Sequence, residues 1–244
     1  MRLHTLNFQA RLGLSGFLIT LILGALSAAT LIGLVYSQYD SGFHIPEMDK
    51  VKAKYSDSML VGAMKTSMYK HVTVDADIDT VAKWINEGAK EDSAFEEVMT
   101  IIEADCLKCH SRSSEMSGAI TSMPFSDYDD LLKYTGKGYS WIHMAKTAHI
   151  HLFGISVFLV IVSLAMAFSS YAGALKTLLI SVGWVALWLD ISAWWLAKFA
   201  DPFTYLIAVA GTLEIGAVVS MSALCLLNMW IKLPRFLLEN DADD

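Results

Sequence analysis

Residues 12–36 read LGLSGFLITLILGALSAATLIGLVY, with no charged side chain. A bilayer core about 30 Å thick takes roughly 20 apolar residues in helical form, so this run is long enough to cross it. Three further stretches meet the same test: His149 to Ser170, Thr177 to Ala197 and Phe203 to Ile231. Arg2 and Arg11 precede the first run, and small residues lie between Ala25 and Ala29, as in a secretory signal. A signal h-region is only about 7–15 residues long, however, so the segment is read as a retained anchor.

Composition agrees. The chain has 244 residues, 55% hydrophobic and 18% charged, against roughly 45–50% and about 25% in soluble domains. The charge is concentrated. Residues 37–147 hold 18 of the 25 acids and 12 of the 18 bases, a net of −6. A soluble enzyme, a basic nucleic-acid binder, a disordered chain and a disulfide scaffold are all excluded. The expected architecture is all-α: four transmembrane helices, with a helical domain inserted between the first and second spans. The expected divisions are 1–36 (tail and first span), 37–147 (inserted domain), 148–231 (spans two to four) and 232–244 (tail).

The basic flanks give the insert a side. Arg2 and Arg11 precede span one, Lys176 lies between spans two and three, and Lys232 and Arg235 follow span four. All fall on one side of the bilayer, which the positive-inside tendency makes the cytoplasm. Residues 37–147 then face the periplasm of a multi-pass protein of a bacterial inner membrane. Lys146 and Lys198 are exceptions at the outer boundary.

Cys106-Leu107-Lys108-Cys109-His110 is C-x-x-C-H, the attachment pattern of c-type haem. Two thiols about one helical turn apart can each add to a porphyrin vinyl group, and the adjoining imidazole reaches the iron as an axial ligand. The topology, assigned without these cysteines, puts the motif on the side where covalent attachment takes place. A thioredoxin-like site wants a βαβ setting, and a zinc site wants a second Cys/His pair. Neither is present, and Cys225, inside span four, reads as apolar packing.

The chain resembles membrane-anchored mono-haem c-type cytochromes of respiratory chains. The resemblance rests on the C-x-x-C-H motif and on the run from Met123-Pro124-Phe125 to Tyr134, similar to the Met-Pro and terminal-helix segment of small cytochromes c. Met123 stands only 13 residues beyond His110, closer than the several tens usual in that small fold. The resemblance implies one covalent haem c held by Cys106, Cys109 and His110. It also implies single-electron transfer between a membrane donor or complex and a periplasmic acceptor, with other redox proteins as partners.

The insert reads as helical: Pro46 to about His71; Asp77 or Asp79, as cap, to Lys90; Ala94 to about Arg112, with Ser93 and Glu96 as a capping box; and a short helix after Ser126 with acids in its first turn. The thin aliphatic content points to haem as much of the core. Leu60, Met64, Met68 and His71 share one helical face, which makes His71 a candidate sixth iron ligand. His143, His149 and Met123 compete with it.

Span three carries Asp190 and span four Glu214, at matching depth on antiparallel neighbours. An acid in hydrocarbon costs several kcal/mol and normally faces the bundle interior. One reading has the two carboxyls pinning the helices, to each other or to Ser192, Thr212 and Tyr205. A second has His149, His151, Asp190 and Glu214 as a quinol and proton site, which makes the chain a quinol dehydrogenase binding quinone. A third has His143, His149 or His151 holding a metal or a haem b. His149 and His151 point roughly 200° apart on a regular helix, which disfavours a shared ligand face. Trp184, Trp188, Trp194 and Trp195 read as lipid-facing. A haem-based gas or redox sensor, or an assembly subunit, is the other functional alternative. A homo-oligomer or larger complex is expected, and the acidic insert would steer a basic partner in a salt-sensitive way.

Overall fold

The computed structural model describes residues 2–35 and 47–231. Tyr36, the 37–46 connection and the 232–244 tail, with Lys232 and Arg235, lie outside the described residues. The described chain is helical and contains no strand. Its α-helices are α1 (Phe8–Val35), α2 (Met48–Tyr55), α3 (Met59–Lys65), α4 (Asp75–Asn86), α5 (Ser93–Asp105), α6 (Tyr128–Leu132), α7 (Trp141–Ala167), α8 (Gly173–Leu196) and α9 (Pro202–Trp230). Short 3-10 turns cover Leu3–Thr5 and Tyr69–His71. Helices α1, α7, α8 and α9 are long and apolar enough to cross a membrane, with mean hydropathy of 2.3, 2.4, 1.6 and 1.8. The chain is an integral, multi-pass membrane protein. Span two begins eight residues before its expected start. Tyr139 to Ala148 mixes aromatic, basic and apolar side chains, which hides the helix from a hydropathy reading.

Two compact units are formed. The membrane unit comprises 1–32, 145–195 and 205–244. Gly183 lets α7, α8 and α9 converge: a Cβ there would lie 3.1 Å from Leu159 Cδ1, 3.5 Å from Met221 Cε and 3.7 Å from Ala217 Cβ. One end of this unit gathers the N-terminal segment, the α7–α8 turn and the end of α9. The Leu3 N–H donates to the Phe168 carbonyl, and the Ser170 N–H to Asn228 Oδ1. The Arg11 guanidinium donates to the carbonyls of Leu6, His4 and Met229 and lies over the Trp230 ring. It thereby satisfies a carbonyl that the last turn of α9 leaves open.

The second unit comprises 33–144 and the 196–204 connection, so it takes in a loop that the expected division at 148 placed elsewhere. Ser56 Oγ donates to the Ala197 carbonyl at 3.2 Å. The Lys198 ammonium donates to the Lys137 carbonyl and lies 4.9 Å from the Trp141 ring centroid. That engagement accounts for a base at this boundary.

The expected helix from Pro46 to His71 is broken at Ser56-Asp57-Ser58. Ser58 Oγ accepts from the Val61 N–H and starts α3 anew, competing with the helix as capping hydroxyls do. The next helix starts at Asp75, ahead of the expected Asp77 or Asp79 cap. Asp92, not Ser93, caps α5 by accepting from the Ala94 N–H. The α5 helix stops at Asp105, before the cysteine motif. Leu60, Val61, Ile78, Val81, Trp84, Val98, Ile102, Phe125 and Leu131 form a buried core. This unit therefore has an apolar core of its own.

Candidate functional site

The last turn of α5 delivers the motif. Val98 and Ile102 are fully buried and hold α5 against the core. Thr73 donates to the Asp105 carboxylate from its N–H at 2.9 Å and its hydroxyl at 2.6 Å, tying the 72–74 segment to that helix end. Beyond it the Cys106 carbonyl accepts from the N–H groups of Cys109 (3.1 Å) and His110 (2.9 Å). The two thiols thus sit one turn apart on a tight loop. Burial, with the Asp105 and Cys109 charges adding, pushes the Cys106 thiol up to about 11.

His110 is buried and held at one ring edge and on one ring face. Its Nδ1 lies 2.9 Å from the Met123 carbonyl oxygen. A carbonyl only accepts, so Nδ1 donates here, which leaves Nε2 as the ring nitrogen without a bond to this carbonyl. The ring stacks on Phe125 at 4.3 Å and 6°, and the Phe125 N–H donates to the His110 carbonyl. The 126–133 segment is anchored by Asp130, a fully buried carboxylate. It accepts from Arg112 at 2.7 Å, Lys133 at 3.0 Å and the Ser126 N–H at 3.2 Å. Burial alone would raise the Asp130 carboxyl, but Lys133, the Ser126 N–H and Arg112 hold it below the usual carboxylate range.

These residues open on a cavity of about 460 Å³, within the roughly 300–1,000 Å³ of cofactor and ligand sites. Cys106, Cys109 and His110 line one part; Met59, Leu60, Met64, Met68 and His71 line another. Sequence spacing put Leu60, Met64, Met68 and His71 on one helix face. The structure brings all four to the cavity, although Met68 and His71 lie beyond the end of α3. Met123 also lines it, and its carbonyl stands at the Nδ1 edge of His110. His143 is elsewhere, exposed and stacked on Tyr139 at 4.4 Å.

The donor set suits a c-type haem: paired thiols one turn apart, an imidazole held at Nδ1 by a backbone carbonyl, soft thioethers nearby and a largely apolar lining. Phe125 and Met59 were missed in the sequence. Phe125 carries no signal beyond following Met123-Pro124, and Met59 falls off the methionine stripe.

In the membrane unit His149 packs its edge on Phe153 (5.0 Å) and His151 on Trp194 (5.2 Å). His143, in the other unit, stacks on Tyr139, so each of the three imidazoles packs on a ring of its own. Among the described residues no group of three or more His, Cys, Asp or Glu side chains is placed to hold a metal ion. Asp190 accepts from the Trp194 indole N–H at 3.2 Å, a partner overlooked although it lies four residues on. Trp194 is therefore buried inside the bundle rather than lipid-facing. A Cβ at Gly211 would lie 3.8 Å from Asp190 Oδ1. Buried Glu214 stands one turn further along α9, so the two acids face neighbouring turns. Thr212 instead donates to the Ala208 carbonyl of its own helix.

Fold and site together describe a four-span membrane protein bearing a helical unit with a cofactor-sized cavity. Residues 135–235 match a protein family described as a transmembrane helical domain; the Cys106–His110 loop lies outside the matched residues. No curated protein and no solved structure matches the chain.

Proposed function

We propose that the chain is a membrane-anchored c-type cytochrome that passes single electrons between a donor in the membrane and an acceptor on the periplasmic side of a bacterial inner membrane. The observation that carries this reading is the convergence of Cys106, Cys109 and His110 on one cavity, with the His110 Nδ1 proton committed to the Met123 carbonyl. Cys106 and Cys109 would add their S–H groups across two vinyl groups, and His110 Nε2 would take an axial position on the iron. Bound haem supplies a one-electron Fe(III)/Fe(II) couple.

The protein's own contribution is positional. The Nδ1–H···O=C bond fixes the imidazole orientation and raises its basicity as a ligand, and Phe125 stops the ring from turning. Leu60, Met64, Ile120 and Phe125 give the cavity apolar walls. The 59–71 wall would supply a second protein ligand, from His71, Met64 or Met68, with Met123, which lines the same cavity, as the alternative. His143 and His149 do not line the cavity. Arg2, Arg11 and Lys176 at one set of helix ends support a cytoplasmic location for that side.

The test is a reduced-minus-oxidised spectrum with a redox titration on the purified full chain. A single c-type component titrating with one electron is expected. A b-type band would overturn the one-haem reading, and absence of any haem band after expression with a haem-attachment system would overturn the whole of it. Loss of the wild-type spectrum in only one of His71→Ala, Met64→Leu and Met68→Leu identifies the sixth ligand.

A further inference from the structure

A second, smaller cavity of about 190 Å³ lies between α2, α3 and the Gly138–Tyr139 strap. Met59, Ala63 and Ser67 line both this cavity and the larger one, so α3 is the single partition between them. We infer that this second cavity binds the ring of a quinol, a membrane-soluble dihydroxy-aromatic, as electron donor to the haem. The inference rests on the haem reading above and names the donor that reading leaves open.

The walls are built at backbone contact. A Cβ at Gly62 would lie 2.1 Å from the Ala53 carbonyl oxygen, and one at Gly138 2.4 Å from that of Tyr55. Gly138 also has φ +55°, and its N–H donates to the Asp57 carbonyl at 2.6 Å. Such a frame keeps its shape whether filled or empty. The volume is below the roughly 300–1,000 Å³ that encloses a whole drug-sized ligand. It therefore admits one ring and leaves an isoprenoid tail outside.

The chemistry of the lining favours this occupant. Ala53, Met59 and Ala63 offer apolar surface to a ring face. Lys54, Ser67 and Tyr139 bring an ammonium and two hydroxyls that can hydrogen-bond oxygens at its two ends. The Lys54 ammonium lies 5.6 Å from the Tyr139 ring centroid, and that ring stacks on the exposed His143. Tyr139 stands two residues before Trp141, the first residue of membrane-crossing α7, which puts the strap at the start of a span where a lipid-soluble donor arrives.

Each quinol becomes a quinone by losing two electrons and two protons. The electrons would leave one at a time across α3, to two haem-bearing chains, or to one chain whose haem the periplasmic acceptor reoxidises between transfers. The two protons would leave the ring hydroxyls for bulk water by way of His143, exposed beside Tyr139. Asp190 and Glu214 are less suited to this role. Glu214 lies roughly 18 Å along α9 from Pro202 at 1.5 Å per residue, deep within the span, and Asp190 is engaged by Trp194.

The experiment follows haem reduction by duroquinol, a tail-less one-ring quinol, in the haem-loaded full chain in nanodiscs. Thr66→Phe fills the second cavity, and Lys54→Met and Tyr139→Leu remove its polar groups; none of these residues lines the larger cavity. The expected result is at least a tenfold slower reduction by duroquinol in Thr66→Phe and Tyr139→Leu. Reduction by dithionite, the haem spectrum and the potential should stay as in the wild type, and Glu214→Gln and Asp190→Asn should react at the wild-type rate. Unchanged duroquinol rates in all three cavity variants would overturn the inference. So would a loss confined to Glu214→Gln or Asp190→Asn, or a wild-type haem that duroquinol does not reduce. In each of those cases a normal haem spectrum leaves the cytochrome reading standing; a chain without haem removes both.

Discussion

Replacing Gly62 by alanine tests the partition on which both cavities depend. The new Cβ would lie 2.1 Å from the Ala53 carbonyl oxygen and 3.1 Å from its carbon. Ordinary contact begins at 3.4 Å, so α2 and α3 must part by more than 1 Å. Ala53 is buried and its carbonyl belongs to a helix, so backbone rather than a flexible side chain has to move. Overpacking of this kind costs about 1–3 kcal/mol, while alanine within a helix recovers about 0.5–1 kcal/mol relative to glycine. A clash of this depth against backbone takes the upper part of the overpacking range, about 2–3 kcal/mol, so the net expectation is a loss of about 1–2.5 kcal/mol. For a unit of this size that lowers the midpoint by roughly 4–20 °C. The assay is the protease resistance of residues 47–144 against temperature in the full chain. Gly136→Ala, which meets no atom within 4 Å, is the control and should melt within a degree or two of the wild type. A Gly62→Ala protein that melts at or above the wild-type temperature would refute the α2–α3 contact, and with it the partition.

Trp194→Phe removes the indole donor to Asp190 and should cost about 1–3 kcal/mol, the penalty of a buried acceptor left without its partner; detergent-induced unfolding measures it, and the loss should shrink sharply when Asp190→Asn is already present. Phe125→Ala should cost about 3–5 kcal/mol as a buried aromatic lost, and should broaden the axial-ligand spectrum because His110 loses the ring that restrains it. Against the opposing effect of burial, the Asp130 carboxyl is held below the usual carboxylate range by Lys133, the Ser126 N–H and Arg112, so its ion pairs stabilise the unit above that range and the stabilisation is lost as pH falls through the lowered native value. Asp130→Asn should therefore melt lower at neutral pH and show a flatter acid limb, whereas an unchanged acid limb would mean that Asp130 does not carry the effect.

The spans were legible because hydropathy is an average over some twenty residues and survives errors at either end. Local breaks were not. Pro46 to His71 has helix-forming composition throughout, and only Ser58, accepting from the Val61 N–H, shows where one helix ends and another begins. Ser93 looked like a cap because Glu96 follows it by three, yet Asp92 holds the position one residue earlier with the same chemistry. The cysteine motif and the methionine stripe were readable separately, since spacing places thiols and thioethers on their own elements. Their meeting on one cavity depends on the 72–74 segment folding back onto Asp105, a contact between residues 32 apart that no local pattern encodes. Phe125 and Trp194 were opaque for a related reason: a ring's partner is set by tertiary packing, and composition alone assigns it to core or lipid.

Intact-mass spectrometry of the denatured full chain, expressed with a haem-attachment system, reads covalent haem directly as added mass. The cytochrome reading predicts the 26.9 kDa chain plus the mass of one haem, with the addition abolished in the Cys106→Ala/Cys109→Ala double variant. A chain at its unmodified mass, with both thiols open to alkylation after unfolding, would contradict it.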